Sequence, residues 1–267
     1  MILTSFVSGS SGNCTFLSTG QENILVDCGL SLKRIKECLD CFCLDVSDLD
    51  AVLLTHEHAD HIKGLKRLLS GYGIPVYCSS GTWNSLPLVT KDEYYRYAGA
   101  EFFREAVPDR EFYIGSMLVH PFHTHHDTAG PLGFRFGLEQ EIYGRDIDVA
   151  VLTDCGVYDD YITRRLEGLD AVLIEANHDT EMLMNGPYPM FLKRRILSDL
   201  GHSSNAGCAD LLNRIWSPRM KNVLLAHLSA ENNTPETAYK YVREHFCHPE
   251  TQLNVAPKDS MSAVIRL

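Results

Sequence analysis

Nowhere in the sequence does an uninterrupted apolar run approach the roughly eighteen residues that a membrane-crossing helix needs. There is also no low-complexity tract and no long block of one charge. Neither a membrane span nor an extended disordered tail is expected. Basic residues are the scarcer charge: 24 Lys and Arg stand against 35 Asp and Glu, for a formal net charge of −11. That balance opposes indiscriminate attraction to nucleic acid or anionic membrane, so an anionic substrate must be drawn by local charge. Residues 1–7 are apolar but few, and no basic residues precede them as in a secretory signal. They read as the first strand of a cytoplasmic protein. The nine cysteines are an odd number in a chain too large to need staples, which fits reduced thiols. Cys41 and Cys43 sit in apolar, core-like text, and no second Cys or His pair at knuckle spacing completes a zinc clip with them. Also missing is the Gly-Lys-Ser/Thr ending that would make Ser8-Gly-Ser-Ser-Gly-Asn13 a nucleotide loop. A tight turn near the active-site face is the expectation there.

What is present is an ordinary globular composition, 45% hydrophobic and 22% charged, over a length that suits one α/β domain spanning residues 1–267. Short aliphatic runs alternate with helical text. Strands are expected over 23–26, 51–54, 74–78, 117–122, 150–152, 171–175 and 222–225. Helices are expected over 30–39, 62–70, 159–167, 190–198, 205–215 and 235–245. Self-comparison adds a repeat: Ile24-Leu-Val-Asp-Cys-Gly29 recurs as Val151-Leu-Thr-Asp-Cys-Gly156, and Asp50-Ala-Val-Leu-Leu54 as Asp170-Ala-Val-Leu-Ile174. Two related halves, each with an aspartate just after a strand, imply a site at the junction of two sheets.

The strongest chemical signal is Thr55-His-Glu-His-Ala-Asp-His61, between a buried strand and helical text. Histidines at i and i+2 of an extended turn can converge on one ion, while the aspartate and histidine that follow can face a second. Imidazole and carboxylate suit zinc, manganese or iron. A merely solvated polar loop is the bland alternative, and three histidines plus an aspartate in six positions argue against it. One loop cannot complete a metal site, so further ligands should come from strand ends: His126-Asp127, Asp154 and His227. His123 and His125 compete with His126 for that place.

This set resembles the metallo-β-lactamase superfamily, whose HxHxDH signature is matched by His56, His58, Asp60 and His61, with the likeness running over almost the whole chain. The resemblance implies an α/β fold, a four-layer αββα sandwich of two mixed sheets. It also implies two divalent ions, Zn or Mn with Fe as a further choice. One ion would have His56, His58, His126 and Asp154; the other would have Asp60, His61, Asp154 and His227. Asp27 would be structural. Ser8 to Asn13, Glu175-Ala-Asn-His-Asp179, Gly201-His-Ser-Ser-Asn205 and Ala226-His-Leu-Ser-Ala-Glu-Asn-Asn233 look like the YycJ/WalJ-type bacterial subgroup, associated with 5′ to 3′ DNA exonuclease activity. His126 is chosen over His125 and His123 because its His-Asp segment resembles that subgroup's and runs into a strand. The Gly-His-Ser segment is similar to one in tRNA 3′-processing endonucleases, which implies that His202 assists phosphodiester cleavage. Ser203, Ser204 and Asn205 can cap the next helix, whose N-terminal amides suit a phosphate. His178 reads as structural.

On this reading Asp60 and His202 are the catalytic side chains, Asp60 orienting the nucleophilic hydroxide and His202 serving the departing oxygen. DNA is the expected partner, with Lys63, Lys66, Arg67 and Lys193, Arg194, Arg195 as local positive charge. Thioester hydrolysis of the glyoxalase II type, a small phosphodiester substrate and a metal-binding regulatory module without turnover are the alternatives. An aspartate at 154, where many β-lactamases use cysteine, argues against a β-lactam.

Overall fold

Alternation decides the layers. In β3 (Asn23–Val26), Ile24 and Val26 belong to one buried cluster and Leu25 to another. In β10 (Ile147–Leu152), Val149 and Val151 share the first cluster, while Ala150 and Leu152 join a third. A strand buried on both faces needs cover on both, and that requirement produces four layers. The computed structural model describes residues 1–87, 103–138 and 146–267. Its first sheet runs β14 (Ile265–Arg266), β1 (Ile2–Val7), β2 (Cys14–Ser18), β3, β4 (Ala51–Leu53), β5 (Val76–Cys78), β6 (Phe103–Glu105). The second runs β13 (Gln252–Val255), β12 (Asn222–Ala226), β11 (Ala171–Glu175), β10, β9 (Leu132–Leu138), β8 (Met117–His123), β7 (Phe112–Ile114).

The inner core draws on both sheets, with Leu17, Val26 and Leu53 meeting Phe134, Val151 and Leu173 in one cluster. Outside the first sheet lie α1 (Leu32–Asp40), α3 (Leu65–Tyr72) and α4 (Ser80–Ser85), which contribute Ile35, Leu68 and Trp83 to its outer cluster. Outside the second lie α5 (Asp160–Arg165), α8 (Asn205–Ile215) and α9 (Pro235–His245), through Ile162, Leu211 and Val242. The chain is the αββα sandwich of two mixed sheets that the resemblance implied.

The sequence repeat has a structural counterpart. Antiparallel pairing β1-β2-β3 turns parallel from β3 through β6, and β8-β9-β10 turns parallel from β10 through β13. Asp27 and Asp154 follow the equivalent strands β3 and β10, both with left-handed backbones (φ 64° and 55°), and His227 after β12 does the same (φ 54°). Such a conformation in a non-glycine residue costs roughly 1–2 kcal/mol. All three face the same end of the sandwich.

Several expectations need correction. The helix expected over 62–70 is two, α2 (Ala59–Ile62) and α3, because Gly64 N–H leaves the helical ladder to donate to Cys28 O at 2.8 Å. β2 was not anticipated, since its five residues are all buried and show no alternation. α6 (Thr180–Asn185), ahead of α7 (Met190–Ile196), was also missed, although Asp179 caps it by accepting from Met182 N–H. Cys41 and Cys43 are exposed where α1 ends, not in the core, and all nine thiols are free.

Candidate metal centre

The loop after β4 brings His56, His58, Asp60 and His61 to the mouth between the sheets, and the second sheet delivers His126, Asp154 and His227 to the same place. Close backbone approach makes this possible: Asn13 N–H donates to Asp60 O, and Gly29 N–H to Asn13 O, each at 2.8 Å. A Cβ on Gly29 would lie 1.8 Å from Asp60 O, so no larger residue fits there.

Nearly every imidazole is held by its Nδ1, which leaves Nε2 for the centre. Thr55 Oγ1 donates to Asp27 and accepts from His56 Nδ1 at 3.0 Å. His61 Nδ1 donates to Asp27 Oδ2 at 2.8 Å, and His126 Nδ1 to Gly201 O at 3.1 Å. His227 Nδ1 donates to Glu175 Oε1 at 2.9 Å. His58 differs, with Nδ1 facing His126 Nε2 at 3.4 Å. Asp154 stands among them, Oδ2 at 3.4 Å from His61 Nε2, Oδ1 at 3.7 Å from His126 Nε2 and 3.5 Å from His227 Nε2. Asp60 Oδ2 lies 3.4 Å from His61 Nε2 and 3.7 Å from His227 Nε2.

These atoms form candidate cation clusters, among them His56-His58-His126, His56-His61-Asp154 and Asp60-His61-His227. Two observations show that the residues fit a cation. His56 Nε2, His227 Nε2 and Asp154 Oδ2 are buried without a hydrogen-bond partner, an arrangement that is unfavourable unless something else satisfies them. The site also draws in positive charge. Burial opposes charging His61, yet Asp27 and Asp154 raise its pKa to about 10, and Asp154, Asp60 and Glu175 likewise raise that of His227 against its burial. His56 is held well below the ordinary value by burial and its imidazole neighbours, so its lone pair stays available. Asp60 is kept far below the usual carboxylate range by His227 and His61 despite its burial.

His202 stands beside this set. Its Nδ1 donates to Glu175 Oε1 at 2.8 Å and lies 3.5 Å from Asp154 Oδ1, leaving Nε2 toward the cleft. Burial disfavours the imidazolium, but Glu175 and Asp154 outweigh it and raise the pKa. Glu175 was not singled out by sequence reasoning. It is fully buried at the end of β11, accepts from His202 and His227 through Oε1, and from Cys155 N–H and Ser203 N–H through Oε2. The repeat pairs it with Thr55, the residue after β4 that holds Asp27 and His56, rather than with either aspartate. Asn13 was missed too; its Nδ2 donates to Asp60 Oδ2 at 3.1 Å.

Of the three competing histidines, His126 is buried and clusters with buried His56 and half-buried His58. His125 pairs with Asp159 at 2.9 Å, and His123 turns its Nδ1 to Thr124 O. His178 stays outside the centre; burial pushes its pKa down to about 4, and its carbonyl accepts from Asn205 N–H. The basic cluster at 193–195 divides. Lys193 is buried, with Nζ donating to Met184 O at 2.6 Å and Gly186 O at 2.8 Å. Arg195 is held by Asp127 through Nε and Nη2 at 2.6 and 3.0 Å and lines the cavity. Arg67 instead lines a groove with α1. The cavity over the centre measures 360 Å³, with His58, Asp60, Asp154, His202 and His227 in its walls.

The sequence model of the Beta-lactamase superfamily domain matches residues 22–227. The chain is 38% identical over 237 residues to "Exodeoxyribonuclease WalJ" of Streptococcus pneumoniae, covering 87% of this chain and 83% of that one. It is 36% identical over 231 residues to "Exodeoxyribonuclease YycJ" of Bacillus anthracis, covering 86% and 83%. Among solved structures it is similar to the metallo-β-lactamase fold protein YhfI of Bacillus subtilis, with a TM-score of 0.71 at 17% identity over 99% of each chain.

Proposed function

Because the chain belongs to the β-lactamase superfamily, and within it to the WalJ/YycJ group, we propose that it is a metal-dependent exonuclease cleaving phosphodiester bonds of DNA from 5′ to 3′. His56, His58, His126 and Asp154 would hold one divalent ion and Asp60, His61, His227 and the shared Asp154 a second. Imidazole and carboxylate favour zinc or manganese, with iron also compatible. When bound, such ions lower the pKa of a water and neutralise charge at the attacked phosphate.

The protein's own residues do the rest. Asp60, ionised and half-buried, orients the nucleophile by accepting its hydrogen bond. Asp27 and Thr55 fix the rings of His61 and His56, and Glu175 fixes those of His227 and His202. With Nδ1 committed to Glu175 and its charged form favoured, His202 holds a proton at Nε2 for the departing oxygen. That Glu175–His202 pair, 3.5 Å from Asp154, is the observation that carries phosphodiester over thioester chemistry. A single domain over residues 1–267 is supported by the core shared between both halves. A cytoplasmic location is supported by the nine free thiols, and no helix among the described residues is long and apolar enough to cross a membrane.

Manganese- or zinc-loaded protein incubated with end-labelled duplex and single-stranded DNA, bis-p-nitrophenyl phosphate and S-lactoylglutathione tests the reading. Phosphodiester hydrolysis is expected, with early release of a 5′ label, and His202→Ala should lose about 100-fold or more. Hydrolysis of the thioester alone would end the nuclease assignment.

A further inference from the structure

One wall of the cavity is built by α7 and the turn before it, through Tyr188, Leu192, Arg195 and Ile196. The neighbouring face of the same helix is unusual for a solvated surface. Phe191 is 75% exposed, and Met190 beside it 51%. Residues three and four apart are neighbours on a helix, so Phe191 has Arg194 at i+3 and Arg195 at i+4. Phe191, with arginines at i+3 and i+4, therefore sits on the helix that forms one rim of the cavity.

This rim is rigidly seated. Lys193, on the inner side of α7, ties it to the carbonyls that end α6, and Arg195 ties it to Asp127, next to His126. A Cβ on Gly201, just after α7, would lie 2.2 Å from Ile196 O, so the chain closes tightly behind the helix. Phe191 is thus carried, exposed, on a braced helix whose adjoining residues Leu192 and Arg195 line the cavity. Arg195 commits Nε and Nη2 to Asp127, which leaves Nη1 for another acceptor.

Resting on the nuclease reading, we propose that Phe191, Arg194 and Arg195 form the platform on which the unpaired strand lies as it enters the centre, one base stacked on Phe191 and its phosphates against the guanidinium groups. Single-strand binding combines these two elements, stacking rings and cations along the backbone. The cavity of 360 Å³ over the centre is of a size to take the end of a strand. The net charge of −11 opposes both an anionic membrane and indiscriminate DNA binding, so the strand must be recognised locally by the two arginines and the ring.

The test uses metal-loaded protein and a fluorescent phosphorothioate oligothymidylate that resists cleavage, read by anisotropy. Phe191→Ala should weaken binding about tenfold, the order expected for one lost stack, and Phe191→Trp should restore it. Arg194→Ala should lower the salt dependence of binding by about one ion. The loss of kcat/KM for Phe191→Ala should be at least about fivefold greater on a cleavable oligonucleotide than on bis-p-nitrophenyl phosphate. Unchanged oligonucleotide affinity in Phe191→Ala overturns the platform while leaving nuclease activity standing. A change of oligomeric state with unaltered DNA affinity overturns it in favour of a second copy. Failure of the unmutated protein to cleave any oligonucleotide, despite turnover of the small diester, removes the nuclease reading itself and the platform with it.

Discussion

Glu175 illustrates how one buried carboxylate can set the behaviour of two imidazoles. Its Oε1 takes the Nδ1 protons of His202 and His227, and its Oε2 takes two backbone N–H groups, so every lone pair has a use. Glu175→Gln should lower phosphodiester turnover by about 10- to 100-fold, as loss of an orienting partner behind a functional imidazole typically does. The pH profile separates this from a general structural defect. Glu175 raises the pKa of His202, so removing its charge lowers that pKa. The protonated fraction of His202 then vanishes at a lower pH, and the alkaline limb of kcat must move down the pH scale. An unmoved limb with reduced kcat would remove the Glu175–His202 pair from proton transfer.

At the scale of elements, the seating of α7 depends on a lysine that charge counting places in solvent. Lys193 reads from the sequence as one of three basic residues facing an anionic substrate, but its amine is enclosed and satisfies two carbonyls at the end of α6. Lys193→Met should cost about 2 kcal/mol in urea unfolding, the range for leaving buried polar groups unpaired. The HxHxDH segment was legible because its ligands are contiguous, and Asp154 and His227 because each ends an apolar strand run. Glu175 was not, because its role exists only once residues 202 and 227, from separate elements, meet it. Long amphipathic helices such as α8 and α9 were legible at their observed bounds. Short strands such as β13 and β14 were not, since they take their form from sheet neighbours more than from their own pattern.

For the molecule as a whole, the donor groups belong to different sheets: His56, His58, Asp60 and His61 follow β4, while His126, Asp154 and His227 come from the other sheet. An ion held between them cross-links the two inner layers and stabilises the folded state by mass action. Chelator treatment should therefore lower Tm by about 10 °C at metal concentrations near a thousand times Kd, and added manganese or zinc should restore it. Asp154→Asn should abolish that metal-dependent shift in a thermal melt. A Tm indifferent to chelator would mean that the histidine cluster holds no cation of structural consequence.

The left-handed turns at Asp27, Asp154 and His227 set thermal hardiness against turnover. Glycine would relax each of these corners at little steric cost, yet each carries a side chain that the centre needs. A lineage of this protein selected for heat tolerance would have to leave those three corners tense and find its gains elsewhere in the chain.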